Sequence, residues 1–184
     1  MIPLVSGAAL MSGTEATVRL QSGDYELLVN RTGGLALHEN LLALGPISYS
    51  EAEQVFAKKI QEATGKPLVG LDGSVKPFEE TRPDPPGGST DVGDVSWCVP
   101  QISLVVTTAP VETPWHSWAV VACGGMSIGH KGMIRAAEAL SLTMIDLFER
   151  PDLLRAMRVE FDEKRQGERV IPMIPAGPPP VPKG

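Results

Sequence analysis

His38, His116 and His130 are the three histidines of this chain, and their neighbours decide what chemistry each can serve. His116 stands between Trp115 and Trp118, a few residues after an apolar run from Gln101 to Thr108. Open α/β sheets place ligand-contacting side chains at strand-to-helix connections of this kind. The placement suits metal ligation or acid–base work; a histidine packed into a core is the alternative. His38 lies beside Glu39 in an amphipathic segment, where a lone imidazole forms neither ligand cluster nor triad. His130, in Ile128-Gly-His-Lys-Gly-Met133, falls at a helix start, where the positive dipole end disfavours imidazolium. A neutral hydrogen-bonding ring or an ordinary boundary residue fits there.

A second polar concentration is Gly88-Ser-Thr-Asp-Val-Gly-Asp-Val-Ser-Trp97, immediately before the apolar run. Its Asp91 and Asp94 have three readings: orienting a histidine, coordinating a metal or capping turns. Cys98 and Cys123 lie in apolar settings and read as buried, inert thiols. Gly124-Gly-Met-Ser-Ile-Gly129 lacks a P-loop lysine and hydroxyl in order and fails the dinucleotide pattern, so phosphate chemistry finds little support.

These residues need elements to position them. Alternation of Ala16, Val18 and Leu20 with polar neighbours predicts a half-buried strand over 15–20, and Ile102, Leu104, Val105 and Val106 between Pro100 and Pro110 predict a buried one over 101–108. Leu35, Leu37, Leu41, Leu42 and Leu44 suit a helix with Asn30 or Thr32 as cap and Gly45-Pro46 as stop. Ser50 and Glu53 have capping-box spacing before the stripe Ala52, Val55, Phe56, Ile60 and Ala63, which ends at Gly65. Residues 66–88 read as a long loop and 114–125 as a turn-rich stretch. A nearly all-round apolar helix from about Ser127, with Met133, Ala136, Ala137, Leu140, Met144, Leu147 and Phe148 on its broad face, belongs inside a domain. Pro151 can open one more helix, with Leu153, Leu154, Met157 and Phe161 inward, before a proline-rich extended tail over 170–184. This order of strands and helices indicates α/β or α+β architecture.

Composition bounds the function. The chain has 184 residues, 42% of them hydrophobic, enough to bury the core of one ordinary domain. Its net charge of −6 gives no electrostatic footprint for nucleic acid, and no stretch approaches a membrane span, so neither partner is expected. Two cysteines are too few for a disulfide scaffold or a cysteine zinc site, and the first ten residues lack the basic start of a secretory signal. The expectation is a cytoplasmic protein.

Taken with Thr108-Ala-Pro-Val111, His116-Ser-Trp118, Gly7-Ala-Ala-Leu-Met11 and Asn30-Arg-Thr32, the 88–97 and 128–133 motifs resemble the aminoacylase and glutamate-carboxypeptidase family of metallohydrolases. The resemblance runs over about residues 5–165 and corresponds to the C-terminal portion of a member. It implies a partial three-layer α/β/α fold. Residues 1–28 would be the end of a lid or dimerisation domain, 29–169 the C-terminal section of the catalytic domain and 170–184 a tail. Members use two divalent ions, zinc or manganese, to activate a water against an amide carbonyl. The implied metal ligand is His116, and Asp91, Ser89 and Asn30 would lie beside the site or touch substrate. The family's earlier ligands and catalytic glutamate have no counterpart here, so no catalytic residue is assigned. The implied function is the C-terminal portion of an amidohydrolase acting on an N-acyl or aryl amino acid, inactive alone. Its partners would be a small-molecule amide and either a second copy or a complementing N-terminal polypeptide. The rival reading is a noncatalytic interaction module on a degenerate scaffold.

Overall fold

Asn30 is a strong helix cap because its side-chain oxygen can satisfy an orphan amide of the first turn. In the computed structural model, which describes residues 2–79, 90–174 and 176–178, it accepts from the Gly33 amide at 2.9 Å and opens a helix over Arg31–Leu44. Gly45, at φ 73°, closes that helix with its amide on the carbonyls of Leu41 and Leu42. The capping box forms as its spacing requires: Glu53 N–H donates to Ser50 Oγ, and the Ser50 amide donates to Glu53 Oε2, at the start of a helix over Glu51–Ala63. Further along run a long helix, Ser127–Glu149, and one over Pro151–Arg165, with Pro151 in its first turn and Lys164 and Arg165 in its last. Three helices lie where the sequence reading has none: Ile2–Ser12, Val92–Cys98 and Trp118–Gly124. In chain order these are α1 (2–12), α2 (31–44), α3 (51–63), α4 (92–98), α5 (118–124), α6 (127–149) and α7 (151–165).

Two apolar clusters hold them. One packs Ala57 and Ile60 of α3 with Leu71, Ala119 and Cys123 of α5 and Ile128 of α6. The other packs Ala36 of α2 with Leu153 and Met157 of α7, against Ile102 and Leu147. Helix α6 contributes to both, so its axis fixes how the two clusters sit relative to each other.

The expected three-layer α/β/α architecture is corrected by this structure: among the described residues every regular element is a helix, and there is no strand. Residues 15–20 are exposed, and among the described residues none pairs with them. Residues 101–108 form no regular element, with Ile102, Leu104 and Val106 half-buried and Val105 88% exposed, and among the described residues no ladder flanks them. Alternation reports which side chains meet a core, whereas a strand also requires a second backbone beside it. Helix α6 departs from its expected enclosure as well. Its buried residues are Ile128, Gly129, Gly132, Ala139 and Thr143, while Met133, Leu140, Met144 and Phe148 face solvent, the last at 84% exposure. Leu154 of α7 is likewise exposed, and so is Cys98, read from sequence as buried; Cys123 is enclosed, and burial pushes its thiol up. In the tail, the Ile171 backbone meets the Tyr25 hydroxyl through both its amide and its carbonyl, each at 3.1 Å.

Glu53 ties α3 to α6. Besides its capping bond it accepts from Ser127 Oγ at 2.6 Å and from Lys131 Nζ at 2.7 Å. The Lys131 ammonium and the Ser127 hydroxyl together hold its carboxyl at about 2, below the ordinary 4.5. Folding therefore releases a proton from this group at intermediate pH, so its stabilising contribution is complete above about pH 4.5 and is lost as pH falls toward about 2. Denaturant titrations across that window should show stability declining with acidification in the native chain. Glu53→Gln should be less stable at neutral pH and decline less steeply over the same window; an unchanged slope would contradict the assignment.

Candidate functional site

His116 sits on a turn whose base is held by a buried amide. Gln61 lies on the inward stripe of α3 and is fully buried, and its Oε1 accepts from the Gly70 amide at 2.8 Å while Nε2 donates to the Val111 carbonyl at 3.0 Å. The Val111 amide reaches the Gly70 carbonyl at 3.1 Å, and Thr113 bonds back to Pro110 through its amide and hydroxyl. On that base the chain rises through Pro114 and Trp115 and descends at Ser117, whose hydroxyl donates to the Pro114 carbonyl at 2.6 Å just before α5. At the crest His116 adopts φ 60°, a left-handed conformation uncommon for a residue with a Cβ. Its ring is exposed, as are Trp115 and Trp118. A cavity of about 520 Å³ opens beside this turn between Lys66, Val105–Pro110, Glu112, Thr113 and Trp115.

The other residues singled out from sequence are dispersed. Asn30 is buried and committed to structure: its oxygen caps α2, and its Nδ2 donates to the Met157 carbonyl of α7 at 2.8 Å. Asp91 is exposed immediately before α4, at the cap position, without a capping bond. Asp94 accepts from the Tyr25 amide at 2.9 Å, Ser96 Oγ accepts from the Leu28 amide at 2.8 Å, and Trp97 Nε1 donates to the Glu26 carbonyl at 2.8 Å. That polar stretch thus fastens residues 25–28 along α4. Ser89 lies outside the described residues. No hydrogen bond or ion pair among the described residues joins Asp91, Asn30 and His116, and among those residues no group of three or more His, Cys, Asp or Glu side chains could hold a metal ion.

His38 and His130 line different hollows. His38, tilted against Phe78 with ring centroids 5.7 Å apart, borders a cavity of about 480 Å³ with Leu37, Leu41, Ile47, Arg135 and residues 103–107. His130 borders a second, of about 400 Å³, with Ser127, Lys131 and Glu138. Sequence reasoning missed Gln61, although its place beside Ala57 and Ile60 on one helical face is the pattern that marks a buried polar residue. It also missed Glu160, which accepts from the Arg31 and Thr32 amides at the α2 N-terminus, at 2.7 and 2.8 Å. Burial raises that carboxyl, but Lys164 and the Thr32 and Arg31 donors outweigh it and bring it to about 2.

Against proteins of known activity, the chain is 32% identical to a subunit of the p-aminobenzoyl-glutamate hydrolase of Escherichia coli K12 over 186 aligned positions, 87% of its own length. The chain is similar to that hydrolase over most of its length. It spans 38% of the E. coli protein. The Xaa-Arg dipeptidase of Mus musculus is 35% identical over 47% of the chain, and that of Homo sapiens 31% over 50%, covering 20% and 21% of those proteins. No family model matches, and no solved structure matches. His116 carries the cost of a left-handed backbone while its ring stays exposed and gains no packing. His116→Gly should raise the unfolding free energy by about 1 kcal/mol, the approximate cost of a left-handed residue with a Cβ. Chemical denaturation of the two proteins checks this, and a destabilised glycine variant would contradict it.

Proposed function

We propose that this chain is one section of a hydrolase that cleaves the amide bond of an N-acyl or aryl amino acid, of the p-aminobenzoyl-glutamate kind, and that it has no turnover alone. The observation that carries the reading is the 32% identity with the E. coli hydrolase over 87% of the chain. The dipeptidase similarities support the same coarse chemistry, hydrolysis of an amide joined to an amino acid. The described residues do not by themselves make a metal site, because His116 is one exposed donor and no acidic or histidine cluster accompanies it. What the chain contributes in this reading is presentation: Gln61 anchors the turn, the left-handed backbone turns the imidazole outward, and Trp115 and Trp118 flank it with apolar surface. In the assembled hydrolase, His116 would be the donor that this section supplies to a pair of divalent ions.

Purified chain incubated with p-aminobenzoyl-glutamate and zinc or manganese should release no glutamate, and chelator-sensitive release would overturn the claim of inactivity. A chimera of the E. coli hydrolase in which the matched section is replaced by this chain tests the hydrolase reading directly. It should turn over, and His116→Ala in it should reduce turnover by about 100-fold or more with an unchanged melting temperature. A folded but inert chimera would favour a noncatalytic binding module; wild-type turnover by the alanine variant would remove His116 from the site.

A further inference from the structure

Two opposite charges line one cavity without meeting. Lys66 and Glu112 both border the hollow of about 520 Å³ beside the His116 turn. Among the described residues, neither side chain has an ion-pair or hydrogen-bond partner. Opposite charges on flexible stems ordinarily close on each other, but the backbones that carry these two are pinned to one residue. The Lys66 amide donates to the Gln61 carbonyl at 2.8 Å, and the Gln61 side chain donates to the carbonyl of Val111, immediately before Glu112, at 3.0 Å. Gln61 is fully buried in α3, so both charged residues are set on a fixed base. Glu112 also adopts φ 61°, a left-handed conformation like that of His116. The remaining lining includes the apolar Val106, Ala109 and Pro110 and the exposed Trp115. An apolar hollow of this volume with a few fixed polar groups is the ordinary form of a small-molecule site.

We propose that this cavity is the subsite for an aryl amide of an amino acid whose ring bears an amine, with a substrate carboxylate paired to Lys66, the ring amine donating to Glu112 and the ring laid on Trp115. A ligand that answers two separated charges must carry an acceptor at one end, a donor at the other and apolar surface between them. p-Aminobenzoyl-glutamate has that order of groups: arylamine, ring, amide, carboxylates. An ammonium pairs with a carboxylate as a charge-assisted bond, and a carboxylate accepts readily from a neutral amine. Trp115 adjoins His116 in the chain, so a ring on that indole lies at the turn that carries the candidate donor. The choice of ligand rests on the hydrolase reading, but the subsite is a matter of binding alone and can be measured without turnover.

The experiment is equilibrium dialysis of the full chain against p-aminobenzoyl-glutamate, benzoyl-glutamate and alanyl-arginine. The first should bind saturably, one molecule per chain. Benzoyl-glutamate lacks the ring amine and should bind about tenfold more weakly, as expected for one hydrogen bond to a charged group. Alanyl-arginine has a donor and a carboxylate but no ring for Trp115, and should also bind more weakly than the aminobenzoyl compound. Glu112→Ala should remove the preference between the two aryl compounds, and Lys66→Ala should weaken both by a similar factor of about ten. Both residues lie at the surface of the turn, so the helical circular-dichroism signal and melting temperature should be close to native in each variant. The proposal is overturned by absence of saturable binding, by equal affinity of the native chain for the two aryl compounds, or by a Glu112→Ala chain that keeps the native preference. Tighter binding of alanyl-arginine would overturn it by assigning the cavity to peptides. An inert chimera beside a chain that binds in this pattern would refute hydrolysis and keep the subsite, whereas an active chimera beside a chain without the pattern would do the reverse.

Discussion

One carboxylate fastens the starts of two helices, and much of the molecule hangs from it. Glu53 receives the Ser50 amide at the head of α3 and the Ser127 hydroxyl and Lys131 ammonium at the head of α6. A negative charge near two helix N-termini is favourable at both. Fixing α6 at that end sets its whole axis, and α6 is the element that passes from the Ala57–Cys123–Ile128 cluster to the one around Ala36, Leu153 and Met157. The same end of α6 brings Gly129 against the backbone of Gly124, where α5 stops, and brings Gly132 under Thr107. The end of α5 and residues 107–108 thus pack on the end of α6 that this buried acid fastens to α3.

Side-chain amides do the joining that backbone ladders do in other folds. Gln61 bonds to Gly70 and Val111, Gln54 bonds both the amide and the carbonyl of Leu71, and Asn30 spans α2 and α7. A loop backbone near a core needs partners for its donors and acceptors, and with no neighbouring strand they must come from helical side chains. Each carboxamide supplies both a donor and an acceptor, so one residue can clamp two turns of chain. This explains how the turn bearing His116 is fixed at its base although its crest is exposed.

What was legible in the sequence was what local chemistry decides. The Asn30 cap, the Ser50 and Glu53 box and Pro151 in the first turn of α7 are short-range signals, and all three mark helix starts in the structure. The strands expected over 15–20 and 101–108 failed because pairing is a property of two segments and alternation records only one. Helix α4 was hidden by glycine, aspartate and serine, residues that read as turn chemistry, yet here Gly93 packs against the Tyr25 carbonyl region and Asp94 and Ser96 bind backbone amides. Helix α5 was masked by the glycines at its end. For the site, sequence could nominate His116, Asp91 and Asn30, but not that Asn30 would be consumed in capping and stapling, which depends on α7 arriving beside it.

The contact between Tyr25 and Ile171 has a meaning for the order in which the chain closes. Its partners are 146 residues apart, a separation that makes direct closure entropically slow. Yet Glu160 already meets Arg31 and Thr32, and Asn30 already meets the Met157 carbonyl, over nearly the same separation. Once α7 is docked by those bonds, only a few residues on each side remain to be ordered before Tyr25 finds the Ile171 backbone. The contact is thus a late, inexpensive closure, in which the Ile171 backbone reaches a Tyr25 that the docking of α7 has already brought near.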